Sequence, residues 1–259
     1  GIAAAELWQK AAGKKAATAT YYLGLFQRFG ARTADALTTL DKAIALLPRA
    51  QKPSRTLVQA RSAKAFTFLL LGRLADAESE AAAVLAQAEQ LADPSLLASA
   101  CRVLGLAMLQ SGRREECRAL QLRALSLAIA AGRPSLLAAA HNNLALAENH
   151  LGNYAAAEAG YQSALAGWRE MQATANVGRA MHNLGVVSRR RGDNDTALTR
   201  YQAALEVLRK AGDRNLIALN LMSTGDVLLR LGRPAEAREP ALQRSEEHTS
   251  ELQSRQCIS

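Results

Sequence analysis

The chain has 259 residues, of which 49% are hydrophobic and only 4% are aromatic. This hydrophobic content excludes an intrinsically disordered chain, and a sequence rich in Ala and Leu but poor in aromatics favours closely packed helices over a β-sandwich. The formal net charge is +9, but basic and acidic residues are interleaved, without a block of five or six like charges. We interpret this charge as a solvated surface, and the sequence disfavours nucleic acid as a partner of this segment.

The three cysteines are Cys101, Cys117 and Cys257. They form no CxxC pair, and their odd number disfavours a disulfide framework and favours a reducing compartment. The longest apolar run, residues 65–72, is too short to span a bilayer. We therefore expect a cytoplasmic protein without a membrane partner. The chain starts at Gly1 without a methionine, so it is either processed or a fragment, and the tail described below favours a fragment.

Five glycines recur at a spacing of forty residues, namely Gly72, Gly112, Gly152, Gly192 and Gly232. A small residue stands seven positions before each of these glycines, and another stands five positions after it. The ten small residues are Ala65, Ala77, Gly105, Cys117, Ala145, Ala157, Gly185, Ala197, Gly225 and Ala237. Small residues at these offsets let two antiparallel helices approach closely, while the glycine between them supplies a left-handed turn. The pattern predicts helical hairpins repeated along the chain.

The same register predicts the order of segments. Residues 1–14 are the second helix of a preceding partial repeat, and residues 215–243 form a truncated sixth repeat. Five full repeats lie between them, at residues 15–54, 55–94, 95–134, 135–174 and 175–214. The predicted fold class is all-α.

The register fails after Gln243, where a polar string begins at Arg244. Its residues can be back-translated, codon by codon, as the adapter that is ligated to fragments for short-read DNA sequencing. We therefore expect residues 244–259 to be a non-native tail produced by adapter read-through. The alternative is a genuine polar tail, and Pro240, inside the last predicted helix, is also unexpected.

The best-defined repeat contains Leu184, Gly185, Gly192, Ala197, Tyr201, Ala204 and Leu205, and this pattern resembles the tetratricopeptide repeat. The usual period of that family is 34 residues. The longer version resembles arrays of large bacterial transcriptional activators and signalling NTPases. The resemblance implies an α-solenoid with a right-handed superhelix, about five full repeats plus partial ends, and a role in protein interaction.

The resemblance also implies that the first helix of each hairpin lines a concave ligand-binding surface. The residues that this places on the surface are Arg102, Asn142, Asn143, Asn149, His150, Arg179, His182, Asn183, Arg189 and Arg190. Asn143 and Asn183, forty residues apart, are the pair best suited to hold a peptide backbone amide. The alternative is that each Asn bonds to a neighbouring helix. The arginines, with His182, could attract an acidic ligand, or they could be ordinary solvated charges.

Catalytic and cofactor motifs are missing from the sequence. It contains no HExxH, GxxxxGK[ST], GxGxxG or GxSxG pattern, so we predict no enzyme, no cofactor and no metal. The favoured function is a protein-protein interaction scaffold that binds a protein or peptide, within a fragment of a bacterial regulatory or signalling protein. Two alternatives stay open: an RNA-binding helical-repeat protein, and an accessory domain of an enzyme that lies outside the fragment.

Overall fold

The computed structural model describes residues 16–29, 32–47, 53–240 and 242–243. All regular secondary structure in these residues is helical. The predicted half repeat at 1–14 and the predicted non-native tail at 244–259 lie outside the described residues. The chain divides into two compact units, residues 1–136 and residues 137–259.

The helices form consecutive hairpins. The first unit contains α1 (Ala16–Phe29), α2 (Thr33–Ala45), α3 (Arg55–Leu70), α4 (Leu74–Leu91), α5 (Pro94–Gln110) and α6 (Arg114–Ala131). Next come α7 (Pro134–Leu151), which lies mostly in the second unit, α8 (Tyr154–Glu170), α9 (Thr174–Arg190), α10 (Asn194–Ala211), α11 (Arg214–Arg230) and a helical segment over residues 234–240. We call the odd-numbered helices first helices and the even-numbered ones second helices. The predicted all-α class of stacked hairpins is confirmed.

The glycines of the forty-residue period end the first helices, as predicted. All five have a positive φ, between 70° and 86°. At Gly152 the chain reverses in a Schellman turn, in which the backbone N–H of Asn153 donates to the carbonyl of Glu148 at 2.9 Å. A glycine adopts this left-handed conformation without the clash that a Cβ would cause. The spacing in the sequence therefore reports the spacing of the turns.

The small residues lie where the two helices of a hairpin touch. Nine of the ten are buried, and Gly225 is half-buried. At Gly185, an added Cβ would lie 2.6 Å from Cε1 of Tyr201, so the tyrosine ring packs directly on the backbone of α9. At Gly160 an added Cβ would lie 2.9 Å from the Cβ of Ala145. The predicted close approach is confirmed.

The second helices supply the large core side chains. Tyr161, Trp168 and Tyr201 are buried. Gln121 stands forty residues before Tyr161 and is fully buried in the same role, with Nε2 donating to the carbonyl of Arg102 at 3.1 Å. A polar residue is tolerated at this core position because the hydrogen bond offsets its desolvation.

Candidate functional site

The predicted asparagines of α7 and α9 form a chain of hydrogen bonds between two first helices. Nδ2 of Asn183 donates to Oδ1 of Asn142 at 3.1 Å, and Nδ2 of Asn142 donates to Oδ1 of Asn143 at 3.2 Å. Asn142 and Asn143 are only 9% and 8% exposed, whereas Asn183 is half-buried. Asn142 therefore links the pair singled out from the sequence, and Asn183 is the more accessible member of that pair.

His182 lies beneath this surface, at 4% exposure. Nδ2 of Asn220, on α11, donates to its Nδ1 at 3.2 Å, and the ring of Tyr201 lies 5.2 Å from the imidazole ring. Because an amide nitrogen can only donate, the proton of the neutral imidazole lies on Nε2. Burial, and secondly the charge of Arg189, lower the pKa of His182 to about 4. The histidine is neutral at pH 7 and adds no positive charge for an acidic ligand.

The predicted arginines of α9 have different surroundings. Arg189 pairs with Asp226 on α11, with Nη1 to Oδ2 at 3.3 Å, so part of its charge is compensated. Arg190 is exposed, and its Nη1 donates to the backbone carbonyl of Asn149 at 2.9 Å. Arg179 is exposed one turn before His182. Of the three, Arg179 and Arg190 lie on the surface.

The last turn of α7 carries the two remaining candidates of the second unit. Asn149 is 2% exposed, and its Oδ1 is buried without a hydrogen-bond partner among the described residues. His150 is half-buried in the last turn of the helix, where a basic side chain also faces the negative end of the helix dipole. Asn149 therefore belongs to the interior, and His150 borders the surface.

Arg102, the remaining candidate, lies in the first unit and borders a groove of about 210 Å³. Three successive first helices, α1, α3 and α5, line this groove together with the residue that precedes α7 by one position, Arg133. Its basic residues are Arg28, Arg55, Arg102 and Arg133. We call it the arginine groove.

An aromatic ring organises two of these arginines. The guanidinium carbon of Arg28 lies 5.0 Å from the centre of the Phe66 ring, and that of Arg102 lies 5.8 Å from the same centre. Arg55 pairs with Asp93 at the rim, with Nη1 to Oδ2 at 2.6 Å. Burial lowers the pKa of Arg28 from its ordinary value, an effect that the nearby Tyr21 partly offsets. The groove thus combines several positive charges with partial desolvation.

Only Arg102 of this groove was predicted from the sequence, although a signal for more of it was present. Asn142 and His182 were selected by a set of offsets, namely two and one before, and two, five and six after, the signature leucine of a repeat, here Leu144 and Leu184. The same offsets apply to Leu23 and to Lys64, which holds the signature leucine's place in the second repeat. They select six groove residues, namely Tyr21, Leu25, Arg28, Ser62, Ala63 and Phe66. Arg55 and Arg133 lie near helix starts, where these offsets do not apply.

The described residues form neither a recognisable metal site nor a reactive thiol. Within it, no group of three or more His, Cys, Asp or Glu side chains is placed to hold a metal ion. Cys101 and Cys117 are buried free thiols, and burial raises the pKa of Cys117 to about 11. Such thiols are poor nucleophiles at neutral pH. None of the described helices has the length and apolarity needed to cross a membrane.

Solved structures share the fold. The Rap conjugation gene regulator of the plasmid pLS20, in complex with the Phr* peptide, matches 96% of this chain and 79% of its own, with a TM-score of 0.68 and 13% identity. BtubC from P. vanneervenii matches 86% of this chain and 91% of its own, with a TM-score of 0.62 and 20% identity.

A signal transduction ATPase with a tetratricopeptide repeat sensor, from Pyrococcus horikoshii, matches 92% of this chain but only 36% of its own, with a TM-score of 0.60 and 15% identity. No curated protein matches the sequence. Two family models, both described as tetratricopeptide repeat, match residues 173–246 and 98–120. The hairpins and the glycine turns thus agree with two partial matches to the tetratricopeptide repeat and with the fold of these solved structures.

Proposed function

We propose that the chain is a protein-interaction scaffold that binds a peptide or an extended protein segment along its first helices. The observation that carries the proposal is the arginine groove, to which three successive first helices contribute side chains. A peptide that crosses consecutive first helices contacts every repeat on its way, so many weak contacts add up to one specific complex.

In the second unit the proposed ligand contacts are the accessible members of the predicted set, namely His150, Arg179, Asn183, Arg189 and Arg190. The buried members, Asn142, Asn143, Asn149 and His182, are proposed to hold these side chains and their helices in position. Asn183 is the central contact, because it is the more accessible of the two asparagines that its hydrogen bond to Asn142 joins.

The array is proposed to serve as the ligand-binding part of a cytoplasmic regulatory or signalling protein. The pLS20 regulator was solved with a peptide bound, and the Pyrococcus ATPase carries its repeats as a sensor. Both share the fold of this chain at low sequence identity, so they support the class of function and leave the ligand itself to experiment.

Peptide display on the purified chain, followed by fluorescence anisotropy with the enriched peptides, tests the proposal. We expect enriched peptides to bind, and Asn183→Ala to weaken the second-unit binders about fivefold, the equivalent of one lost hydrogen bond. Gln202→Ala is the matched control, because Gln202 is exposed on a second helix. The proposal fails if no peptide is enriched, or if the Gln202 variant loses binding while the Asn183 variant retains it.

A further inference from the structure

First helices of the second unit touch the next first helix through two recurring positions. These positions lie two residues before and five residues after the signature-leucine position of the repeat. On α9 they hold His182 and Arg189, which contact polar side chains of α11. On α7 they hold Asn142 and Asn149, which accept hydrogen bonds from side chains of α9. We call the side of a first helix that carries these two positions its downstream face.

The downstream face of α11, the last of the described first helices, is apolar and exposed. The signature-leucine position of α11 is Thr224, so the two positions hold Met222 and Leu229, which are 49% and 60% exposed. Leu219, one turn before Met222, is 41% exposed. Spacings of three and seven residues place these three side chains along one side of the helix. At the position equivalent to Met222, His182 of α9 is only 4% exposed.

First helices also have a face that packs on the preceding hairpin. The residue three after the signature-leucine position marks this face, which we call the upstream face. Val187 of α9 shares a hydrophobic cluster with Tyr161 of α8, and Val227 of α11 shares one with Tyr201 of α10. The position is fully buried in every first helix from α3 to α11, where it holds Thr67, Ala107, Ala147, Val187 and Val227.

The upstream face of α1 is exposed instead. Its signature leucine is Leu23, so the marking position holds Phe26, which is 44% exposed. Tyr22, one turn before Phe26 on the same side of the helix, is 43% exposed. The chain therefore carries both halves of the contact between consecutive hairpins in exposed form, the upstream face on α1 and the downstream face on α11.

A second copy of the chain is the partner that supplies both halves. Contacts between consecutive hairpins recur within each unit, and a copy that offers its downstream face to the upstream face of another copy repeats this contact. The two faces also match in chemistry. Three aliphatic side chains of α11 meet two aromatic side chains of α1, and none of the five is charged. Burial of apolar surface on both sides favours such an association.

We infer that the chain associates with itself head to tail, with Met222 and Leu229 of one copy packed against Tyr22 and Phe26 of the next. Because the two faces differ, a pair of copies leaves one face of each kind exposed, and association does not stop at two copies. The inference goes beyond peptide binding. It brings the first helices of successive copies side by side, and so extends the proposed ligand surface from one copy to the next.

Sedimentation velocity of the full chain, from about 5 to about 500 µM, tests the inference. Few side chains take part and association costs rigid-body freedom, so we expect a dissociation constant of about 100 µM for each contact. The mean mass should then rise with concentration and pass that of two copies. Phe26→Glu and Leu229→Glu should each weaken the association about tenfold or more, because a charge is placed in an apolar contact.

Ile129→Glu is the matched control. Ile129 is 64% exposed on α6 and lies on a second helix, so this variant places the same charge on an equally exposed apolar position outside both faces. Its association should stay within about twofold of the parent chain. Circular dichroism of each variant establishes that the helices are intact before the masses are compared.

A mixture of the two face variants gives the sharpest result. The Phe26 variant keeps an intact downstream face, and the Leu229 variant keeps an intact upstream face. Each variant alone should remain a single copy, whereas the mixture should form a complex of one copy of each and nothing larger. A symmetric contact between two α11 faces cannot give this pattern, because the Leu229 variant then has no partner face to offer.

Four results would overturn the inference. They are a mass that stays at one copy up to about 500 µM, association that stops at two copies and survives Phe26→Glu, an equal loss in the Ile129 variant, or the absence of a complex in the mixture. Loss of peptide binding by the chain would overturn the scaffold function and leave this inference intact, since the sedimentation experiments contain no peptide.

Discussion

Asn183 donates a hydrogen bond from its Nδ2 to Oδ1 of Asn142 at 3.1 Å, joining the first helices of two neighbouring hairpins. Asn142 passes the interaction on to Asn143 within α7. The two residues that the forty-residue period singled out are thus connected through a third, which lies beside one of them in the sequence. These amides hold α7 and α9 in register. Asn183 is the accessible end of this series of three hydrogen-bonded side chains.

Removal of the middle amide should destabilise the second unit. Asn142→Ala leaves the buried acceptor of Asn143 and the half-buried donor of Asn183 without their partner, at a cost of about 1–3 kcal/mol in the free energy of unfolding. Urea denaturation followed by circular dichroism measures this loss. Gln202→Ala, an exposed control, should stay within about 0.5 kcal/mol of the parent. Equal stability of the two variants would show that the hydrogen bonds contribute nothing.

Two glycines in equivalent positions should respond to alanine with opposite signs. At Gly185 a Cβ would lie 2.6 Å from the Tyr201 ring, so Gly185→Ala should destabilise the chain by about 1–3 kcal/mol. At Gly225 the nearest atom to an added Cβ is 3.9 Å away, so Gly225→Ala should stabilise α11 by about 0.5–1 kcal/mol. Thermal unfolding of both variants gives the two signs, and the same sign for both would contradict the packing described.

Two left-handed positions, one occupied by glycine and one by alanine, can be tested by exchanging the residue type at each. Gly152 has a φ of 86°, whereas Ala92 ends α4 in the same left-handed region with a φ of 48°. Gly152→Ala should cost about 1 kcal/mol, and Ala92→Gly should yield a small net stabilisation, since the unfolded-state entropy of glycine opposes the relief of strain. Urea midpoints measure both effects. A stabilising Gly152→Ala change would be inconsistent with a left-handed turn at that position.

His182 should make the stability of the chain depend on pH. Its pKa is about 4 in the folded chain, below its ordinary value of 6.5, so between these values the unfolded chain binds more protons. Its contribution is fully present above about pH 6.5 and is lost as the pH falls towards 4, for a total of about 3 kcal/mol.

The measurement for His182 is the difference in unfolding free energy between the parent and His182→Gln, at pH 7 and at pH 4.5. The parent should lose about 2–3 kcal/mol more than the variant. His141, whose pKa burial also lowers, and the Arg189–Asp226 pair are present in both proteins, so their contributions largely cancel. Parallel pH profiles for the two proteins would show that His182 is not buried in its neutral form.

Much of the fold followed from the spacing of small residues. A glycine every forty residues predicts the left-handed turns, because the restriction on φ is local and independent of packing. Gly185 and Ala197 likewise predicted a close helix contact, since small residues let two antiparallel helices approach. Local chemistry of this kind is visible in the sequence.

The accessibility of the candidate site was harder to predict. Asn143 and His182 occupy groove positions in the register, yet both are buried, and burial makes His182 neutral. In the arginine groove, Arg28 and Phe66 stand at offsets of the same set that selected Asn142 and His182 and were visible in the sequence, whereas Arg55 and Arg133 come from helix starts, where these offsets do not apply. Their proximity to Arg102 depends on how successive hairpins stack, which no single repeat encodes.

Amide hydrogen exchange with and without a display-selected peptide tests the central claim most directly, because it reports every helix at once. We expect the peptide to protect the first helices, α1, α3 and α5 for a first-unit ligand or α7 and α9 for a second-unit ligand, more than α2, α4, α6, α8 and α10. Protection confined to the second helices, or no protection despite measurable binding, would contradict a ligand surface built from the first helices.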